Sequence, residues 1–163
     1  MAIGLVGSEM CIRDRSLINA CKDGQDLDAR WNMMMASTEG AMAFSKGLGA
    51  VHSMSHAIGA NQELRLHHGT LNGVILPTVI RFNKDHVGNK LPRILKAMGK
   101  SESADLADEI EKFNEKIGLP SGLKEMGVTE EMIPELVEHS ITDPSNVTTP
   151  KLPSPEELSL IHI

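Results

Sequence analysis

Residues 47–83, GLGAVHSMSHAIGANQELRLHHGTLNGVILPTVIRFN, decide the reading of this chain, because they hold four of its seven histidines among small residues and an apolar run. His52 and His56 are spaced i, i+4, so on a helix both imidazoles leave one face about 6 Å apart and can converge on one ion or substrate. His67 and His68 follow a short polar loop. Gly47, Gly49, Ser53, Ser55, Ala57, Gly59, Gly69 and Gly73 leave room for a helix, an ion or a cofactor to approach the backbone. The pattern points to a metal site. A histidine pair at this spacing also occurs as a hydrogen-bonded core or surface pair. His68, at a helix start, favours the metal reading, since the positive end of the helix dipole keeps the ring neutral, as a ligand must be. HSMSH lacks the Glu that follows the first His in helical zinc proteases. No Cys, Asp or Glu sits at a spacing that completes four ligands.

Outward from this stretch the periodicity is helical throughout. Ala50 to about Ala60 forms a helix after the Gly47–Gly49 break. Another opens at His67 or His68, and Pro77 predicts a kink or break near Leu76. Upstream, Ser16–Cys21 reads as a helix end, and Asp26 or Asp28 caps a long helix to about Lys46. Its stripe of Leu27, Trp31, Met34 or Met35, Thr38, Met42 and Ser45 is expected to be core, with Met33–Met35 as thioether filler. Downstream, Leu91–Met98 is a short helix. Ser101 or Ser103 caps an amphipathic one with Leu106, Ile110, Phe113 and Ile117 inward, closed by Gly118. Thr129 is expected to cap a helix to Ile141, Asp143–Pro155 to be an extended surface loop, and Glu156 to start a last helix. No alternating β pattern is sustained, so the fold class is all-α.

The termini read as something other than protein. LSLIHI, residues 158–163, is what CTG TCT CTT ATA CAC ATC encodes, a string resembling the transposon end used to make DNA sequencing libraries. LVGSEMCIRDR, residues 5–15, resembles a translation of the opposite strand with its primer extension. Two matches, at opposite ends and on opposite strands, speak against coincidence. The expectation is that residues 1–15 and 158–163 are sequencing-adapter translation and that residues 16–157 form one helical domain. Cys11 then drops out, and Cys21 alone cannot form an intrachain disulfide. A net charge of -6, 2% aromatic residues and no Tyr exclude a basic nucleic-acid grip. No apolar run approaches the ~20 residues of a membrane span. The expected location is cytoplasmic.

GLGAVHSMSHAIGA followed by HHGTLNGVILPTVIRFN resembles the C-terminal domain of the iron-containing, or group III, alcohol dehydrogenases, and the similarity extends over residues 16–157. The resemblance implies the helical half of the iron-containing alcohol dehydrogenase and dehydroquinate synthase-like fold, truncated at both ends. It implies hydride transfer between an alcohol or aldehyde and NAD or NADP, with Fe(II), or Zn(II), as Lewis acid. The family ligands are one Asp and three His. His52 and His68 match two of those histidines, and His56 matches a family position suited to relaying a proton near the nicotinamide and substrate. His67 is expected to be a loop or capping residue, and His86 and His139 solvated. The family's upstream Asp-x-x-x-His pair has no counterpart here, nor has its nucleotide-binding half, so no cofactor-binding residue is assigned. The fragment alone is expected to be inactive, and the full-length parent a homodimer acting on a small alcohol or aldehyde. A zinc polyol dehydrogenase of the glycerol type, or a non-catalytic helical metal-binding module, are the alternatives.

Overall fold

A computed structural model describes residues 16–162. Residues 16–22 are helical (α1). They are followed by α2 (Leu27–Ala43), α3 (Ala50–Gly59), α4 (His68–Asn83), α5 (Lys90–Ala97), α6 (Leu106–Lys116), α7 (Ile133–Thr142) and α8 (Pro155–His162), with short 3-10 turns in the connections that follow α2, α4, α6 and α7. Among the described residues there is no strand, as the periodicity predicted. Among the described residues no helix is long and apolar enough to cross a membrane. The reading of residues 1–15 as adapter falls outside the described residues.

The chain divides into two compact units, one running to Gly47 and including Gly88–Leu106, the other made of Leu48–Val87 and Ala107–Ile163. In the first, Asp26 caps α2 by accepting from the Ala29 N–H at 2.9 Å. The expected core stripe of α2 is a correction. Leu27, Trp31, Met34, Met35 and Met42 are exposed, Trp31 by 63%, and Met33 is half-buried, whereas Ala29 and Ala36 are buried. The helix therefore buries a face of small residues, Ala29 and Ala36, and leaves the bulky stripe exposed.

The second unit holds the core that positions the histidines. Met54 and Ile58 of α3, Leu71, Ile75 and Val79 of α4, Leu136 and Val137 of α7, and Leu158 and Ile161 of α8 form one buried cluster. Leu158 and Ile161 therefore pack as ordinary core residues, three positions apart on one face of α8.

Pro77 does not break α4, which runs unbroken from His68 to Asn83. A proline at this position cannot donate to the carbonyl four residues back, that of Gly73. The Asn114 side chain of α6 donates to that Gly73 oxygen at 2.8 Å instead. The freed acceptor is thus satisfied from a neighbouring helix. Asn114→Ala should strand it and cost about 1–2 kcal/mol, read as a lower urea midpoint with an unchanged far-UV spectrum. No loss would mean that water serves the carbonyl equally well.

Candidate metal and proton-relay site

α3 begins on two glycines with positive φ, Gly47 at 94° and Gly49 at 87°, a conformation L side chains rarely adopt. The Gly49 N–H donates to the Ser145 carbonyl at 2.9 Å, and a Cβ added at Gly49 would lie 3.6 Å from Thr149 Oγ1. This junction seats the start of α3 against the segment that follows α7. Ala50, Ser53, Met54, Ala57 and Ile58 are buried, which turns His52 and His56 to the opposite face. His67 is the N-cap of α4, accepting from the Thr70 N–H at 3.4 Å, so His68 occupies the first helical position. His67 is the capping residue the sequence suggested; His86 and His139 are exposed.

The three candidate imidazoles form a compact triangle. Ring centroids are 5.8 Å apart for His52 and His56, 5.3 Å for His52 and His68, and 5.3 Å for His56 and His68, the last pair stacked at 18°. Asn72, one turn beyond His68, places its side-chain nitrogen 3.0 Å from His68 Nε2 and 3.5 Å from His52 Nε2. An amide N–H₂ only donates, so both Nε2 atoms present lone pairs toward the same point. His68 Nδ1 lies 3.3 Å from Ser55 Oγ, and that hydroxyl itself donates to the His52 carbonyl at 3.1 Å. The ring must therefore donate from Nδ1, which leaves His68 Nε2 free of hydrogen. The Asn72 side-chain oxygen is buried without a partner, so hydrogen bonds to two imidazoles are what anchor this amide.

These residues fit a divalent cation as two of its ligands: neutral imidazoles, lone pairs converging, one with its tautomer set by a neighbouring hydroxyl. Among the described residues no three His, Cys, Asp or Glu side chains could hold an ion by themselves. Burial lowers the His52 pKa below 6.5, and the neighbouring His68 and His56 lower it further, against Asp143. Burial, then His56 and His67, lower that of His68. For a histidine whose folded pKa is depressed, the unfolded chain binds the proton more readily. The stability contribution is complete above pH 6.5 and is lost as pH falls from there through the lowered values. In EDTA, the urea midpoint should drop between about pH 7.5 and pH 5.5, and the His52→Gln/His68→Gln chain should show a flatter dependence. Equal slopes would refute it.

Sequence reading missed Asp143. The segment expected to be an extended surface loop is instead a 3-10 turn, Pro144–Thr148, with Asn146 and Thr149 buried. Pro144 pushes the preceding residue to extended backbone, and Asp143, at φ -68° and ψ 128°, ends α7 and caps the turn. One carboxylate oxygen accepts from the Ser145 N–H at 2.7 Å, and the other lies 3.0 Å from His56 Nδ1. Burial pushes the Asp143 carboxyl up, but hydrogen bonds from Ser145 and the contact with His56 outweigh it, and its pKa is depressed. His56 and Asp143 are 87 residues apart in sequence; only the Asp-Pro helix stop hinted at a special role. A cleft of about 790 Å³ beside α4 and α6 includes Pro77, Asp108, Asn114 and Leu119 in its lining and none of the histidines.

Residues 8–162 match the model of the Fe-containing alcohol dehydrogenase family, C-terminal. The chain belongs to that family. It is 45% identical over 139 residues to 4-hydroxybutyrate dehydrogenase of Cupriavidus necator, a match covering 81% of this chain and 36% of the relative. It is 32% identical to 1,3-propanediol dehydrogenase of Klebsiella pneumoniae, over 90% of this chain and 40% of the relative. The structure superposes on that of a 1,3-propanediol oxidoreductase with a TM-score of 0.90 at 29% identity, covering 98% of this chain and 44% of the other. The chain thus corresponds to less than half the length of these relatives. The expected all-helical C-terminal domain is the fold observed, and the family is one of dehydrogenases.

Proposed function

We propose that this chain is the metal-facing C-terminal domain of a longer NAD(P)-linked dehydrogenase that interconverts a short primary alcohol and its aldehyde. The observation that carries the reading is the convergence of His52 Nε2 and His68 Nε2, both bare, on the single Asn72 amide. A cation there would displace the Asn72 amide hydrogens from these two nitrogens and draw further donors from outside the described residues, since a site of this kind takes about four ligands. When bound, it supplies Lewis acidity that lowers the pKa of a substrate hydroxyl. The chain's own residues do the rest. His52 and His68 hold the metal position, Ser55 fixes the His68 tautomer, and His56 accepts and passes on the hydroxyl proton. Iron suits such a nitrogen-rich set and zinc suits it nearly as well. The similarity to dehydrogenases of a four-carbon hydroxy acid and a three-carbon diol favours a short substrate bearing a second polar group. A cytoplasmic dimer is the assembly we expect of the longer enzyme.

In this reading residues 158–163, like 1–15, are adapter translation, and α8 tolerates the first group because Leu158 and Ile161 recur at helical spacing. The test is to read the source DNA across both junctions, then purify the enzyme from the complete frame. Expected are one divalent ion per chain and NAD(P)-dependent oxidation of 4-hydroxybutyrate or 1,3-propanediol, with no turnover by residues 16–157 alone. An intact frame without a nucleotide-binding half, or turnover by residues 16–157 alone, would overturn it.

A further inference from the structure

We propose that Asp143 is a positioning residue: it holds the His56 ring as the Nδ1–H tautomer and so keeps Nε2 as the bare nitrogen that takes the proton. The inference rests on the proton-relay reading of His56 above. Its ground is geometry. An ionised carboxylate is acceptor-only, so the 3.0 Å contact between Asp143 Oδ2 and His56 Nδ1 requires the hydrogen on Nδ1. A free imidazole exchanges its proton between both nitrogens, and a ring that carries its hydrogen on Nε2 has no lone pair there to take the substrate proton; acceptance at Nε2 makes an imidazolium, whose charge the Asp143 carboxylate offsets.

The carboxylate is itself held. Pro144 fixes the backbone on one side, and the Ser145 N–H binds Oδ1 at 2.7 Å, so Oδ2 is aimed rather than free to rotate. The Asp143 side chain is 17% exposed, whereas that of His56 is 41% exposed. The acid is the anchored partner and the ring is the one that reaches outward. Stacking on His68, the centroids 5.3 Å apart, fixes the ring plane as the carboxylate fixes its rotation. Position and tautomer are therefore set by separate contacts, from α4 and from the end of α7. A surface ion pair would need neither the anchored acid nor the stacked ring.

Asp143→Asn separates positioning from folding. Its carbonyl oxygen can keep the Ser145 N–H, preserving the turn, while its N–H₂ faces His56 Nδ1 and drives the hydrogen to Nε2. Long-range ¹H–¹⁵N spectra of the chain, taken at alkaline pH, should show Nδ1–H in the wild type and Nε2–H in Asp143→Asn. In the longer enzyme, kcat should fall about 100-fold with KM changed less than about threefold. His56→Ala/Asp143→Asn should be no slower than His56→Ala, since a residue acting only through His56 has nothing left to act on. Asp143→Glu, which keeps the acceptor, should recover part of kcat. The proposal fails if Asp143→Asn leaves the Nδ1–H tautomer in place, or if the two substitutions multiply. A longer enzyme that oxidises no alcohol would sink the dehydrogenase reading, and the tautomer spectra of the chain would still decide the dyad.

Discussion

His52→Ala and His68→Ala in the longer enzyme are each expected to lower its affinity for a divalent cation by more than about 100-fold, since altering only the partners that orient ligands costs 10- to 100-fold. Each substitution removes one of the two bare Nε2 atoms that meet at Asn72. The amide left behind cannot replace it: its nitrogen only donates, and amide oxygens are poorer ligands than imidazole for iron or zinc. Purified in limiting metal, both variants should carry well under one ion per chain and lose activity in proportion, with partial recovery in excess metal. His56→Ala should behave differently, keeping its ion while kcat falls about 100-fold. Metal content against activity across the three variants therefore separates holding the ion from moving the proton. Full metal occupancy in His52→Ala or His68→Ala would remove that histidine from the ligand set.

How much of this could be read without coordinates follows from the range of each interaction. Spacing alone placed His52 and His56 on one face and started α4 at His67 or His68, because i, i+4 geometry and capping are local. The 3.0 Å approach of Asn72 to His68 was also within local reach, as an i, i+4 pair on α4, but an amide beside a histidine carries no signal until a second imidazole is known to face it. Asp143 lay beyond reach, since its link to His56 depends on how α7 packs against α3. Pro77 failed as a helix breaker for the same reason, its penalty being offset by Asn114, on another helix. The α2 stripe failed differently. Periodicity identifies a face but does not say that anything covers it, and Leu27 and Trp31 are 72% and 63% exposed.

The local rules place the imidazoles on their helices, but the distance between those helices is a property of the core, and Leu71 is where this can be tested. Its side chain is fully buried in the cluster that joins α3, α4, α7 and α8, and it lies one turn beyond His68. A Cβ added at Gly59 would sit 3.9 Å from Leu71 Cδ1, so this leucine fills the space where α4 passes the end of α3. Leu71→Ala should cost about 3 kcal/mol, within the 2–5 found for buried leucines, the value depending on how far the cavity collapses. Leu71→Met, which conserves volume, should cost less than about 1.5 kcal/mol, and Leu160→Ala, at a position 73% exposed, should cost within about 0.5 kcal/mol. Urea midpoints of the metal-free chain rank the three. Collapse into the cavity would also shift α4 against α3 and pull the His68 and His52 nitrogens out of register. Leu71→Ala should therefore lose metal affinity in the longer enzyme even at temperatures where it is fully folded, and Leu71→Met should not. If Leu71→Ala were destabilised yet bound metal normally, the convergence of the two nitrogens would have to be set locally, by Asn72 and Ser55, rather than by the packing beneath them.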